Sequence, residues 1–142
     1  MQIMPTKAHQ MIIGLISRKM KDKGYKIVAF DGKEYLFNGK TLKVPPVIKR
    51  HRPDLLGYNF KTERVCIGEA KTGGDLFSMR TIEQLNDYAA TKQKSTGKYV
   101  EAILGILKSS ELDLQKLLCK LSLDKNENIS YIWLPDELVE ND

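Results

Sequence analysis

Cysteine is scarce in this chain of 142 residues: Cys66 and Cys119 are the only two. They are too few for a disulfide framework and lack the C-x-x-C spacing of a structural zinc site. Histidine is equally rare, with His9 and His51 far apart and neither at zinc-ligand spacing from a cysteine. No window approaches 18 uncharged apolar residues, so no membrane span is expected. The start, Met1 to Lys7, lacks the apolar core of a secretory signal, which points to an intracellular, cytoplasmic protein. There is no repeat, no low-complexity stretch and no Pro/Gly/Ser-rich linker. A single domain over residues 1–135 is therefore expected, followed by an acidic tail over 136–142. With 42% hydrophobic and 29% charged residues, the composition is that of a folded globular domain rather than a disordered one.

Acids are in short supply in the body of the chain. Residues 121–142 hold six acids against one base, Lys125, so the net charge of +5 divides into −5 there and +10 over residues 1–120. A basic body suits a polyanion such as nucleic acid, because neutralising phosphates supplies most sequence-independent affinity. A solvated basic surface kept charged for solubility accounts for the same excess.

Hydrophobic periodicity predicts a helix over 6–23, where Ile12, Ile13, Ile16 and Met20 recur at helical spacing and Gly24 follows. Strand-forming runs come next at 25–30 and 34–37, with Asp31-Gly32 between them as a hairpin turn signal. After Pro45-Pro46, Val47-Ile48 and Asp54 to Tyr58 suggest another strand. Arg64 to Lys71 reads as a fourth, with Val65 and Ile67 on one face and Cys66, Gly68 and Ala70 on the other. A helix over 78–91, a strand over 99–107, a helix over 111–122 and a strand over 129–134 complete the chain. Ser110 and Asp113 form a capping-box-like start to the third helix. Strands followed by helix–strand units imply an α/β fold with a mixed sheet and helices on its faces.

The stretch that carries chemistry is Pro53-Asp54, fourteen intervening residues, then Glu69-Ala70-Lys71. Glu69 and Lys71 are two apart on a predicted strand, so their side chains share a face. If that strand pairs antiparallel with the one Asp54 opens, both carboxylates and the ammonium converge. Two converging carboxylates are costly in a core but suit a hard divalent cation. Mg²⁺ takes oxygen ligands, often one or two carboxylates, and leaves positions for water and substrate phosphate. The Ala70 carbonyl could add a further oxygen. With a polarised phosphodiester and Lys71 beside an attacking water, the chemistry fits phosphodiester hydrolysis.

Pro53-Asp54 … Glu69-Ala70-Lys71 resembles the P-D…(D/E)-x-K signature of the restriction-endonuclease-like nuclease superfamily, and the order of elements over roughly 6–107 is similar to that family's core. The resemblance implies a restriction-endonuclease-like core and a DNA endonuclease using Mg²⁺, with Mn²⁺ able to substitute. It implies Asp54, Glu69 and the Ala70 carbonyl as metal ligands and Lys71 as the catalytic lysine. Gln84, on the helix after the motif, matches a glutamine that many members hold near the metal. By itself that position reads equally as a solvated face. Lys49-Arg50-His51-Arg52 runs into Pro53-Asp54 and would suit phosphate contacts; without a ligand it is an exposed basic loop. The small basic archaeal Holliday-junction resolvases and their viral relatives are similar as well, which implies a homodimer and branched DNA as substrate. There is one departure: members commonly carry a glutamate on the first helix, whereas residues 7–18 contain no acid, and His9 and Gln10 stand there instead. The competing class is a catalytically inactive nucleic-acid-binding module with the same fold, and cleavage of RNA is a third option.

Other motifs fall away. Gly39-Lys40-Thr41 resembles the end of a phosphate-binding loop, but Glu34 stands where that motif needs its first glycine. Cys66 suits packing better than nucleophilic attack. Ser109 and Ser110 suit helix capping, and Trp133 and Tyr131 suit core or interface positions.

Overall fold

The computed structural model describes residues 6–32 and 42–139. Five strands form one sheet in sequence order: β1 (Lys26–Phe30), β2 (Leu55–Asn59), β3 (Arg64–Ala70), β4 (Glu101–Leu107) and β5 (Ile129–Leu134). β1, β2 and β3 pair antiparallel, while β3, β4 and β5 pair in parallel. Each parallel connection needs a crossover. They are supplied by α2 (Met79–Ala89) and α3 (Glu111–Lys120), and α1 (Lys7–Asp22) precedes the sheet. This is the expected α/β architecture, a mixed sheet flanked by helices on both faces.

The alternation read along β3 divides the core as expected. Cys66 and Ala70 pack with Ile12, Ile13, Ile16 and Met20 of α1, together with Phe30, Leu55 and Ile103. Ile67, with Val65 at its edge, packs on the other face with Leu85 and Tyr88 of α2 and with Leu114, Leu117 and Leu118 of α3. Burying each large aliphatic of α1 contributes about 1.5–3 kcal/mol. The helix lies close to the sheet because the strands beneath it carry glycine. A Cβ on Gly105 would sit 2.3 Å from Ile12 Cγ2, and one on Gly68 would sit 2.8 Å from Ile16 Cγ2.

Element bounds match the sequence reading closely, with informative exceptions. Thr6 caps α1, accepting from the His9 amide at 3.1 Å. Val47-Ile48 does not form a strand. Ile48 and His51 instead close a tight turn through paired backbone bonds of 2.7 and 3.0 Å, with Lys49 at φ 60°. The strand expected at 34–37 falls outside the described residues; β1 pairs with β2. A 3-10 turn over Gly73–Phe77 leads into α2, whose cap Ser78 accepts from the Thr81 amide. The capping box at Ser110 is not made: its side chain bonds nothing at the helix start, and a 3-10 turn over Lys108–Ser110 precedes α3. Ser109 is held from the tail instead, its amide and hydroxyl donating to the Asp136 carboxylate at 2.9 and 2.5 Å. Asp136–Leu138 forms a further 3-10 turn, so the first residues of the acidic tail are docked. Among the described residues no helix is long and apolar enough to cross a membrane.

Candidate active site

Leu55 pairs with Gly68 in the β2–β3 ladder, so Asp54, one residue before β2, comes opposite the end of β3. The Ala70 amide donates to Asp54 Oδ2 at 2.9 Å. That bond fixes the first carboxylate against the strand that carries the second. Glu69 Oε2 is 4.0 Å from Lys71 Nζ. With Asp54 tied to the residue that follows Glu69, the two acids stand side by side at the end of β3. The convergence expected from the spacing is therefore present.

Both Glu69 and Lys71 are buried. Burial first, and then the neighbouring Asp54 carboxylate, push the Glu69 carboxyl up to about 8 against the opposing help of Lys71 and Tyr88. Glu69 and Lys71 share a buried pocket, and Asp54 stands half-buried beside it.

Gln84 belongs to this cluster. It is 2% exposed rather than on a solvated face. Its Oε1 accepts from Lys71 Nζ, and its Nε2 has no hydrogen-bond partner. An unsatisfied buried donor costs about 1–3 kcal/mol, which marks the spot as one suited to an incoming acceptor. With Glu69, Lys71, Thr81 and Tyr88, Gln84 lines a small cavity under β4.

Two neighbours were given no role in the site from the sequence, although His9 was noted at the position of the missing acid. Tyr88 marked only the apolar face of α2, yet its hydroxyl donates to Glu69 Oε1 at 3.1 Å. It lies four positions after Gln84, so one helical face presents both, and that spacing was the available signal. His9 comes from α1, with Nε2 3.6 Å from Asp54 Oδ2, an ion-pair rather than a hydrogen-bond distance. The adjacent Asp54 side chain holds the His9 pKa above its ordinary value. The place of the absent first-helix acid is thus filled by an imidazole.

The basic run before Asp54 is arranged differently from an open grip. His51 is 4% exposed, bonds Asp87 Oδ2 at 2.8 Å and meets the Tyr88 ring edge-on at 5.8 Å between centroids. Arg50 Nε donates to the same Asp87 oxygen at 2.9 Å and reaches Glu83 at 3.9 Å. Arg52 donates to the Pro45 carbonyl. Two acids of α2 draw the loop in, so Lys49 alone of the run is exposed without an ion-pair or hydrogen-bond partner among the described residues.

No group of three His, Cys, Asp or Glu side chains among the described residues converges tightly enough to cage a metal ion. The oxygen donors are the two carboxylates, a set suited to an ion that keeps water and substrate oxygens in its remaining positions.

No protein-family model matches the chain, and no curated protein does. Among solved structures the chain is similar to the crystal structure of a repair endonuclease from Pyrococcus abyssi, at 15% identity and a TM-score of 0.47. The similarity covers 95% of this chain and 49% of that one, so the chain spans about half the length of that protein. What the site can do follows from its own side chains.

Proposed function

We propose that the chain is a metal-dependent nuclease that hydrolyses phosphodiester bonds in DNA at the Asp54–Glu69–Lys71 cluster. The carrying observation is the convergence of the buried Glu69 and the half-buried Asp54 beside Lys71, where burial and the second carboxylate disfavour the Glu69 anion unless positive charge joins them. A divalent cation supplies that charge. Asp54 and Glu69, with the carbonyl of Ala70, would hold Mg²⁺ or Mn²⁺. When bound, the ion polarises the phosphodiester and acidifies a water.

The protein's own residues do the rest. The Ala70 amide and the Tyr88 hydroxyl orient the two carboxylates, leaving their other lone pairs for the ion. Gln84 takes one proton of the Lys71 ammonium in a hydrogen bond and so aims the others. Lys71 then positions the attacking water and stabilises charge that builds on the phosphorus oxygens. The free Gln84 Nε2 is a donor for a phosphate oxygen or for that water. Lys49, at the tip of its turn, offers a backbone contact. A homodimer would place two such sites for cutting both strands of a branched substrate.

The test is cleavage of labelled duplex, single-stranded, flap and four-way-junction DNA in Mg²⁺, Mn²⁺ or EDTA, with Glu69→Ala beside wild type. Metal-dependent cutting that disappears in Glu69→Ala is the expected result. DNA binding without cutting in either metal would assign the chain to the non-catalytic module instead.

A further inference from the structure

The free positive charge lies at the other end of the sheet. Where β2 turns into β3 and α2 returns to β4, Lys61, Lys92, Lys94 and Lys98 are exposed, and none is within ion-pair distance of a carboxylate among the described residues. Near the carboxylate cluster, by contrast, Arg50 is spent on Asp87 and Glu83. Between the two far loops opens a cleft of about 640 Å³, lined by Asn59, Thr62, Arg64, Lys98 and Tyr99. Glu101 forms its floor, but the Tyr25 hydroxyl, Lys23 and Arg64 meet that carboxylate and compensate it. Glu127 stands on the wall and biases an anion toward the lysine side.

Two aromatic rings are exposed on these loops: Tyr99 lines the cleft, and Phe60 stands at the neighbouring hairpin tip, outside the lining. Phe60, at the hairpin tip between the lining residues Asn59 and Thr62, is 69% exposed and touches Tyr58 edge-on. Tyr99 is 41% exposed, with Lys92 Nζ 5.0 Å from its ring centroid. The loops that carry them are stitched together. Gln93 donates to the Glu63 carbonyl at 2.7 Å and accepts from the Val65 amide at 3.0 Å, and Lys98 Nζ donates to the Thr62 carbonyl at 2.6 Å. Asn59 Oδ1 pins the tip by accepting from the Lys61 and Thr62 amides. A surface this well ordered binds with less entropy loss than a mobile loop.

We infer that this far cleft anchors a single-stranded nucleic-acid segment, with an unpaired base stacking on Tyr99 and phosphates meeting Lys98 in the cleft and Lys61 and Lys92 on the loops beside it. Exposed rings beside a cationic groove are the means by which single strands are held without sequence preference, since every unpaired base has a free π-face. Bases in a duplex keep their faces stacked on one another, so paired DNA gives that ring nothing to hold. Only the class of partner rests on the nuclease reading; binding here needs neither Asp54 nor a metal. β3 runs from Arg64 beside the cleft to Glu69 at the carboxylate cluster, about 17 Å at a strand's rise per residue.

The experiment is fluorescence anisotropy of a labelled oligothymidylate in EDTA, titrated at several salt concentrations. Lys92→Glu/Lys98→Glu should weaken binding at least about tenfold and flatten the dependence of log affinity on log salt by about 1.4, the loss of two phosphate contacts. Tyr99→Ala should weaken it about tenfold through lost stacking. Lys61→Glu/Lys94→Glu, whose side chains hold no described partner, is a second pair should the first disturb the loop by circular dichroism. The same charge change at exposed Arg18 and Lys116 controls for net charge. Unchanged affinity in the cleft variants, an equal loss in the control, or an equal loss for duplex DNA would each overturn the proposal. With no divalent ion present, loss of binding bears on the far cleft, and loss of cutting, measured separately, bears on Asp54 and Glu69.

Discussion

At the scale of single residues, Glu69 decides how the protein responds to pH. Its folded pKa of about 8 lies above the ordinary carboxylate value of 4.5, so the folded state favours the protonated form. Its contribution is fully present below about pH 4.5 and is lost as pH rises toward 8, by up to a few kcal/mol. Glu69→Gln cannot ionise. Thermal melts in EDTA should therefore show wild type losing stability between pH 5 and 8 and the variant losing much less; parallel curves would refute the assignment. Mg²⁺ or Mn²⁺ should restore wild type most at the upper end of that window. The residues of this cluster were readable from sequence to different depths. Asp54, Glu69 and Lys71 followed from strand alternation and one hairpin, both local. His9 did not, because only the docking of α1 on the sheet brings it within 3.6 Å of Asp54. The partners of His51 and Arg50 were not legible for a related reason: the charges that draw them in, Asp87 and Glu83, sit more than thirty residues away on another element.

At the scale of elements, the seat of α1 holds the site together. Gly105 pairs with Ala70, its carbonyl accepts the Lys71 amide at 2.9 Å, and Ile12 rests directly on its Cα. Gly105→Ala pushes a methyl into that contact, and overpacking of this kind costs about 1–3 kcal/mol. Urea denaturation should register that loss, and cleavage should fall with it, although residue 105 carries no functional group. An unchanged midpoint would mean that α1 has room to rise. Strand and helix positions were largely legible, because Val65, Cys66 and Ile67 alternate cleanly and Ile12, Ile13, Ile16 and Met20 repeat at helical spacing. The start of α3 was not. The Ser110–Asp113 spacing suits a cap, but Asp136, from beyond β5, takes Ser109 instead and a 3-10 turn intervenes.

At the scale of the whole molecule, composition located a basic body without saying where its charge is free. The fold answers by pairing cations near the carboxylates and leaving them open at the far loops, a division that depends on which loops meet across the sheet. The order of the strands was legible for its parallel half, where each helix must carry the chain back. The two cysteines supply a reporter on this assembly. Cys66 lies under α1, fully covered, with burial pushing its thiol pKa up, while Cys119 stands exposed on α3. A thiol-reactive dye should modify Cys119 within the mixing time and Cys66 only when the first helix lifts from the sheet. The slow phase is then a clock for the opening of α1, readable without substrate, and Gly105→Ala should make it run faster. A small domain with one masked thiol thus has its own label for timing how often the surface that carries His9 comes apart.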